Sequence, residues 1–411
     1  MNLLVSSKKI TKSINAISSK SYAHRAIFCS ILAKEKSVIE IDTISEDIES
    51  SLRVAKDLGC KIEIDNNKYT INPPFRFKDN LTLNVGESGT TLRFLIPLIA
   101  AIGKKAKIIR QGSLIGRTND IYFNILPKHN VNIYEDGNNI FIDGELKAGR
   151  FEIEGNISSQ FISGMLIATS YLKEESKIII KNTLESKPYV DMTIDVLNDF
   201  NMEIENYKNE YIVRGKLKGA NYIVEKDWSN SLFFIVSGAL VKGLNLNSKQ
   251  GDRLSLEYLE KLGLKNKSKN GIKLEKFKSA ESFRIIDAKD MPDAVPILCI
   301  ISAIINGQTK VINIERLRLK ESDRVKSTIK MLRAFGVEVL EEENSFSFSS
   351  VDRFSSCKIN SYNDHRIAMS AAIATTLSDC EVTILGAECV NKSYVGFFED
   401  FQKLGGIVNV L

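Results

Sequence analysis

The sequence predicts an α/β protein built from about six copies of one unit, three in each of two domains. Three observations predict it: a phrase recurring about every 70 residues, a second mark in the same phase, and one short interval. The phrase is LGCKIEI at 58–64, HNVNIYE at 129–135, FNMEIEN at 200–206, LGLKNKS at 262–268, FGVEVLE at 335–341 and LGGIVNV at 404–410. Its anchors, Gly59, Asn130, Asn201, Gly263, Gly336 and Gly405, are spaced 71, 71, 62, 73 and 69 apart. Gly and Asn best tolerate the left-handed conformation that closes a helix, so each anchor predicts a helix end. Alternating residues follow most anchors, as a strand requires. IEIDNNKYTI (62–71) and VNIYEDGNNIFI (131–142) read as strand, turn, strand.

The second mark opens a helix in each copy. It is SKSYAHRAI near Lys20, ESGTTLRFL near Ser88, SSQFISGML near Ser158, DWSNSLFFI near Trp228, MPDAVPILC near Pro292 and NDHRIAMSA near Asp364. The spacings are 68, 70, 70, 64 and 72. One unit is therefore helix, strand, second helix and hairpin. The last copy reaches Leu411 without its hairpin, and NLLVSSKKI (2–10) is expected to supply the missing edge. The short interval of 62 predicts a break near residue 225. The expected domains are 1–18 plus 226–411, and 19–225.

The composition allows a large core and narrows the function classes. Of 411 residues, 43% are hydrophobic, and 56 basic against 51 acidic residues leave a net charge of +5. With lysine spread along the chain, no dedicated nucleic-acid surface is expected. The six cysteines (29, 60, 299, 357, 380, 389) form no CxxC pair, and read as buried small side chains of a reducing compartment. Three histidines are too few to favour a zinc site or a histidine-based triad. A Lys- and Ser-rich start with no acid before Glu35 suggests a transit peptide, but the mark at Lys20 leaves little to cleave. No apolar run approaches the ~18 residues of a membrane span. The expectation is a cytoplasmic protein without metal or organic cofactor, membrane or nucleic-acid partner.

LKESDR (319–324) gathers two acids and two bases in one place: Lys320, Glu321, Asp323 and Arg324 within five positions. Val325, Ile329 and Leu332 predict a helix after it, with Gly336 beyond its end. Ser322 is the expected N-cap and Asp323 suits the first turn. Lys320 and Glu321 then fall in a loop, where a solvated helix face does not account for them. The six helix starts are also rich in ligands for anions: Lys20, Ser21 and Arg25; Ser88, Gly89, Thr90 and Arg93; Ser158, Ser159 and Gln160; Asp227 and Ser229; Asp290 and Asp293; Asp364, His365 and Arg366. Free backbone N–H groups and the positive dipole end bind anions there, and Arg adds bidentate recognition. Ordinary capping explains any one start; six in phase point to a shared anionic ligand.

These stretches, with SKPYVDMT (186–193), DMPDA (290–294), DHRIAM (364–369) and NKSYVGFF (391–398), resemble the enolpyruvyl transferases nearly end to end. Within that family the likeness is to the branch acting on shikimate 3-phosphate. The resemblance implies a two-domain α/β fold of six units, three per domain, with helices and mixed four-stranded sheets and a site in the cleft between the domains. It implies transfer of an enolpyruvyl group from phosphoenolpyruvate to the sugar-like acceptor's 5-hydroxyl, by a monomer needing no cofactor. It makes Asp293 the base, Glu321 the acid and Lys20 a third catalytic group. It assigns shikimate 3-phosphate to Lys20, Ser21, Arg25, Ser158, Ser159, Gln160, Ser186, Asp293 and Lys320. Phosphoenolpyruvate falls to Lys20, Gly89, Arg117, Gln160, Arg324, Arg366 and Lys392, with Arg93 and His365 in support. A base and an acid on opposite sides of the new bond suit an addition that deprotonates an alcohol and protonates a carbon.

The sequence departs from the family pattern at Glu87, an acid beside a phosphate-binding helix start, at Arg316, and in GSLIGRT (112–118) around Arg117. The related enzyme using UDP-N-acetylglucosamine is the nearest alternative. It carries Lys-Asn where Lys20-Ser21 stand, and usually a reactive Cys in the loop that here reads RQGSLIGRTND. A non-catalytic anion-binding relative should lack Asp293 or Glu321, and both are present.

Overall fold

The structure is a computed structural model that describes residues 1–7 and 10–411, so Lys8 and Lys9 of the N-terminal stretch lie outside it. The chain divides into two compact units: a first of Met1–Ile17 with Lys226–Leu411, and a second of Ser18–Glu225. Ser18 belongs to the second unit and not, as its position in the sequence suggested, to the first. Its backbone N–H donates to Asp42 Oδ1 at 2.8 Å, and the Asp42 N–H returns a bond to Ser18 Oγ at 3.0 Å.

The helices in chain order are α1 (Lys20–Leu32), α2 (Glu46–Asp57), α3 (Gly89–Ala101), α4 (Asp120–Ile125), α5 (Ser159–Thr169), α6 (Lys187–Asp199), α7 (Trp228–Val236), α8 (Ser255–Lys261), α9 (Val295–Ile304), α10 (Arg324–Ala334), α11 (His365–Leu377) and α12 (Phe397–Leu404). All six anchors adopt positive φ: 104° at Gly59, 63° at Asn130, 64° at Asn201, 76° at Gly263, 90° at Gly336 and 118° at Gly405. Five second marks open a helix within one residue, each capped by the side chain of Ser19, Ser88, Ser158, Asp227 or Asp364. The exception is α9. It starts at Val295 with Pro296 in its first turn, where a missing N–H costs nothing, and no side chain caps it. The delay leaves Asp293 outside the helix, in a turn. The LKESDR helix is also shifted: Asp323, not Ser322, is the cap of α10, accepting the Lys326 N–H at 3.1 Å. Ser322 is drawn away by Asp364, which its hydroxyl meets at 3.0 Å.

Among the described residues, five four-stranded sheets share one order. In the sheet of Leu81–Asn84, Ala106–Ile109, Asn139–Gly144 and Val131–Asp136, the first two strands are parallel and the hairpin adds its second strand before its first. The sheet with Val382–Leu385 and Gly406–Val410 lacks a hairpin of its own. Asn2–Ser7 takes the vacant third place, antiparallel to both, with Leu3 opposite Ile384 and Val410. Two strands are exchanged where the chain passes between units. Ser13–Asn15 precedes α1 but pairs in parallel with Leu240–Lys242 of the first unit. Asn221–Ile223 precedes α7 but pairs in parallel with Ser37–Glu40 of the second.

The sixth sheet is broken. Leu264–Asn266 and Leu274–Lys276 form a two-stranded hairpin, tied to Val241 only by a bridge at Ile272. Its sequence, LKNKSKNGIKLEK, lacks the apolar alternation that would bury one face and fix a longer register.

Each unit has its own apolar core. The helices opened by the second mark are buried nearly all round, α3 and α5 in the second unit and α9 and α11 in the first. A helix apolar on every face belongs in the interior. Burying these helices fixes their N-termini, and those ends carry many of the expected site residues. Among the described residues, no helix is long and apolar enough to cross a membrane.

Candidate active site

The expected site residues fall in two clusters, one in each unit. In the second unit, Lys20 opens α1 and its Nζ lies 2.9 Å from Asp47 Oδ2. One turn on, Arg25 is buried and joins three helices. Its Nε donates to Thr193 Oγ1 at 2.8 Å, Nη1 to the Ser21 carbonyl at 2.6 Å and Nη2 to the Tyr189 carbonyl at 2.8 Å. Its guanidinium also lies 5.5 Å from the centre of the Phe94 ring. Burial lowers Arg25 to about 10, which leaves it charged at neutral pH.

The starts of α3 and α5 meet at Gln160. Its Oε1 accepts from Arg93 Nη1 at 2.5 Å and its Nε2 donates to Thr90 Oγ1 at 2.9 Å. Ser158 caps α5, accepting the Gln160 N–H, and Ser159 is the first residue of that helix. Ser186 is buried just before α6 with φ +52°, a left-handed conformation unusual for a serine, of the kind that clusters at binding sites. Arg117 crosses the start of α3: a Cβ on Gly89 would come 2.5 Å from its Nη1. A larger residue at 89 would push the Arg117 guanidinium aside. Glu87 turns to the following loop, its Oε2 accepting the Ser113 N–H at 3.3 Å and the Ser113 hydroxyl at 3.2 Å.

In the first unit the cluster forms around Arg324, the first residue of α10, whose side chain is sealed from solvent. Nε donates to Asp364 Oδ2 at 3.0 Å, Nη2 to Asp364 Oδ1 at 3.2 Å, Nη1 to Asp293 Oδ1 at 2.7 Å, and Nη2 also to Glu321 Oε2. Asp293 and Glu321 thus share one guanidinium. Lys320 Nζ lies 3.3 Å from Asp293 Oδ1, and Arg366 Nη2 lies 3.5 Å from Asp293 Oδ2. Burial alone would raise the Asp293 carboxyl. The charges of Lys320, Arg366 and Arg324 outweigh it and hold Asp293 well below the usual carboxylate range. Burial lowers Lys320, against the pull of Asp293.

Arg366 has donors to spare. It is buried over the Phe233 ring, at 5.8 Å, and its Nε and Nη1 have no partner among the described residues. Lys392 donates to the Asn363 carbonyl at 3.2 Å, beside His365 and Arg366 at the start of α11. Buried guanidinium donors of this kind suit a carboxylate or phosphate ligand. Arg316 lies in the 3-10 turn Glu315–Leu319, close enough for its charge to lower Lys320.

Sequence reasoning missed the side chains that hold these groups in place. Asp47 behind Lys20 and Asp252 behind Ser229 carry no motif of their own, and Thr193 behind Arg25 closes SKPYVDMT without having been given a role. Asp252 is buried, accepts from the Ser229 hydroxyl and leaves Oδ1 without a partner among the described residues. Among the described residues, no group of three or more His, Cys, Asp or Glu is placed to hold a metal ion.

The fold is that of the enolpyruvyl transferases. The enolpyruvyl transferase NikO from Streptomyces tendae superposes with a TM-score of 0.79 at 14% identity, over 99% of this chain and 98% of that one. An EPSP synthase from Acinetobacter baumannii superposes at 0.78 and 24%, over the whole of both chains. The family model for EPSP synthase (3-phosphoshikimate 1-carboxyvinyltransferase) matches residues 4–401. A 3-phosphoshikimate 1-carboxyvinyltransferase of Clostridium perfringens is 39% identical across 99% of each chain. One of Clostridium acetobutylicum is 40% identical over 95% of this chain and 94% of its own. This chain belongs to the EPSP synthase family.

Proposed function

We propose that the protein transfers the enolpyruvyl group of phosphoenolpyruvate to the 5-hydroxyl of shikimate 3-phosphate, releasing phosphate and 5-enolpyruvylshikimate 3-phosphate, a step of the shikimate pathway. The observation that supports it most directly is the pair of carboxylates, Asp293 and Glu321, held on the single buried guanidinium of Arg324. In this reading the acceptor oxygen bonds to C2 of phosphoenolpyruvate as its proton passes to Asp293. Glu321 supplies the proton that C3 takes up. The tetrahedral adduct then loses a proton from C3 back to Glu321 and phosphate from C2, which leaves with the proton held by Asp293. Asp293 is a weak base while three cations surround it. Two bound anions add negative charge beside it and raise its affinity for the proton.

Lys20, Ser21, Arg25, Ser158, Ser159, Gln160 and Ser186 of the second unit, with Asp293 and Lys320 of the first, hold shikimate 3-phosphate. Lys20, Gly89, Arg117, Gln160, Arg324, Arg366 and Lys392 hold phosphoenolpyruvate, and Arg93 and His365 support them. The spare donors of Arg366 and the guanidinium of Arg117 over Gly89 support the anionic end of this assignment. We place the enzyme in the cytoplasm, as a monomer.

The test is phosphate release from phosphoenolpyruvate with shikimate 3-phosphate in one reaction and UDP-N-acetylglucosamine in another. Release only in the first is expected. Release only in the second would keep the chemistry and change the acceptor, and release in neither would overturn the reading. Asp293→Ala and Glu321→Ala should each lose ~10²-fold or more in turnover while still binding shikimate 3-phosphate by calorimetry. Near-normal turnover in either variant removes that residue from its role.

A further inference from the structure

Beneath the helix starts of the second unit runs a buried chain of four polar side chains. His24 Nδ1 of α1 lies 2.7 Å from Ser51 Oγ of α2. Ser51 Oγ lies 2.8 Å from Thr91 Oγ1 of α3. The Thr91 hydroxyl donates to Ser88 Oγ, also at 2.8 Å. All four residues are inaccessible to solvent. Ser88 is the cap of α3 and accepts the Thr91 N–H at 3.3 Å, and the next residues are Gly89 and Thr90.

Counting donors gives the chain a direction. Thr91 has one hydroxyl proton, directed to Ser88, so it accepts from Ser51. Ser51 in turn accepts from His24, which must carry its proton on Nδ1. Nε2 has no partner among the described residues and is a bare lone pair in the buried interior. Burial first, then the charges of Lys20 and Arg25, keeps the imidazole neutral. Each link is a buried group that would be left unsatisfied if its neighbour were lost.

We propose that His24 is a positioning residue for phosphoenolpyruvate: donating through Nδ1, it orders Ser51, Thr91 and Ser88 and so fixes the first turn of α3. That turn carries Gly89, against Arg117, and Thr90, which accepts from Gln160. The role rests on the function proposed above. The shikimate 3-phosphate residues of α1 do not depend on the chain. Lys20 is held by Asp47, and Arg25 by Thr193 and Tyr189.

The experiment is steady-state kinetics with each substrate varied, beside calorimetry of shikimate 3-phosphate binding and a thermal melt. His24→Leu removes the donor and should raise KM for phosphoenolpyruvate about tenfold, the worth of one hydrogen bond. Binding of shikimate 3-phosphate should stay within about twofold of the wild type, since Lys20 and Arg25 are anchored separately and, of its ligands, only Gln160 touches the turn. His24→Asn places an amide N–H where Nδ1–H stood and should restore most of the loss. An unchanged KM for phosphoenolpyruvate, equal losses for both substrates, or no rescue by Asn would overturn the role. Where His24→Leu does not fold, Ser51→Ala cuts the same chain and must give the same split. Wild-type protein that releases no phosphate would sink the proposed function and this role together. Normal wild-type turnover beside an unaffected His24→Leu variant would sink the role alone.

Discussion

Asp252 and Asp293 are two carboxyls of one cluster with opposite environments. Asp252 has the Ser229 hydroxyl on one oxygen and, among the described residues, no hydrogen-bond partner on the other. Burial, and then the negative charge of Asp293, pushes it up to about 6. Folding therefore favours its protonated form. Its contribution to stability is complete below the usual carboxylate value of about 4 and is lost as the pH rises through about 6. Asp293 is the reverse: held well below the usual range, it contributes above about pH 4, and that contribution is lost as the pH falls through its own lower value. Urea unfolding of wild type and Asp252→Asn across pH 4 to 7 separates the two. The wild type should lose stability relative to the variant between about pH 4 and 6. Parallel profiles would mean that Asp252 ionises as a solvent carboxyl does.

At the scale of elements, the strand Asn2–Ser7 does work that a hairpin does in the other units. It lies in the third place of its sheet, and both Leu3 and Val5 point into the core. Val5 is fully buried, whereas Val410 on the neighbouring edge strand is 74% exposed. Val5→Ala should therefore cost about 2 kcal/mol by chemical denaturation, from lost burial and the cavity left behind. Val410→Ala should change stability by no more than about 0.5 kcal/mol. Equal effects would show that the first strand is not part of the folded sheet in solution. The repeat was legible in the sequence because Gly and Asn mark the same left-handed position six times. The exchange of Ser13–Asn15 and Asn221–Ile223 was not, because three-residue strands carry too little pattern to say which sheet they join.

Across the whole molecule, positive charge is less evenly spread than lysine is. Residues 261–278 contain seven Lys and one Glu, while the chain as a whole is only +5. The excess thus belongs to the broken hairpin of the first unit, and the remainder is close to neutral. The second unit has a separate core and, in the proposed reading, most of the shikimate 3-phosphate ligands. That ligand alone at 100 times its Kd should stabilise the unit it binds by about 2.7 kcal/mol. Hydrogen exchange should slow at the starts of α1, α5 and α6. Protection confined to the first unit would contradict the assignment of Lys20, Arg25 and Ser186.

The sequence by itself determined the repeated α/β unit, the six left-handed helix ends and nearly all the charged groups of the two clusters. These are local properties: a cap, a turn or a motif is written in neighbouring residues. Tertiary structure decided what surrounds each group. It put three cations on Asp293, left two Arg366 donors unpaired, turned Glu87 to Ser113 and linked His24 to Ser88 through two hydroxyls of other helices. Those partners come from segments far apart in the chain. Desolvation and charge act through space, so burial rather than sequence order sets which donors are spare and which carboxyl keeps its proton.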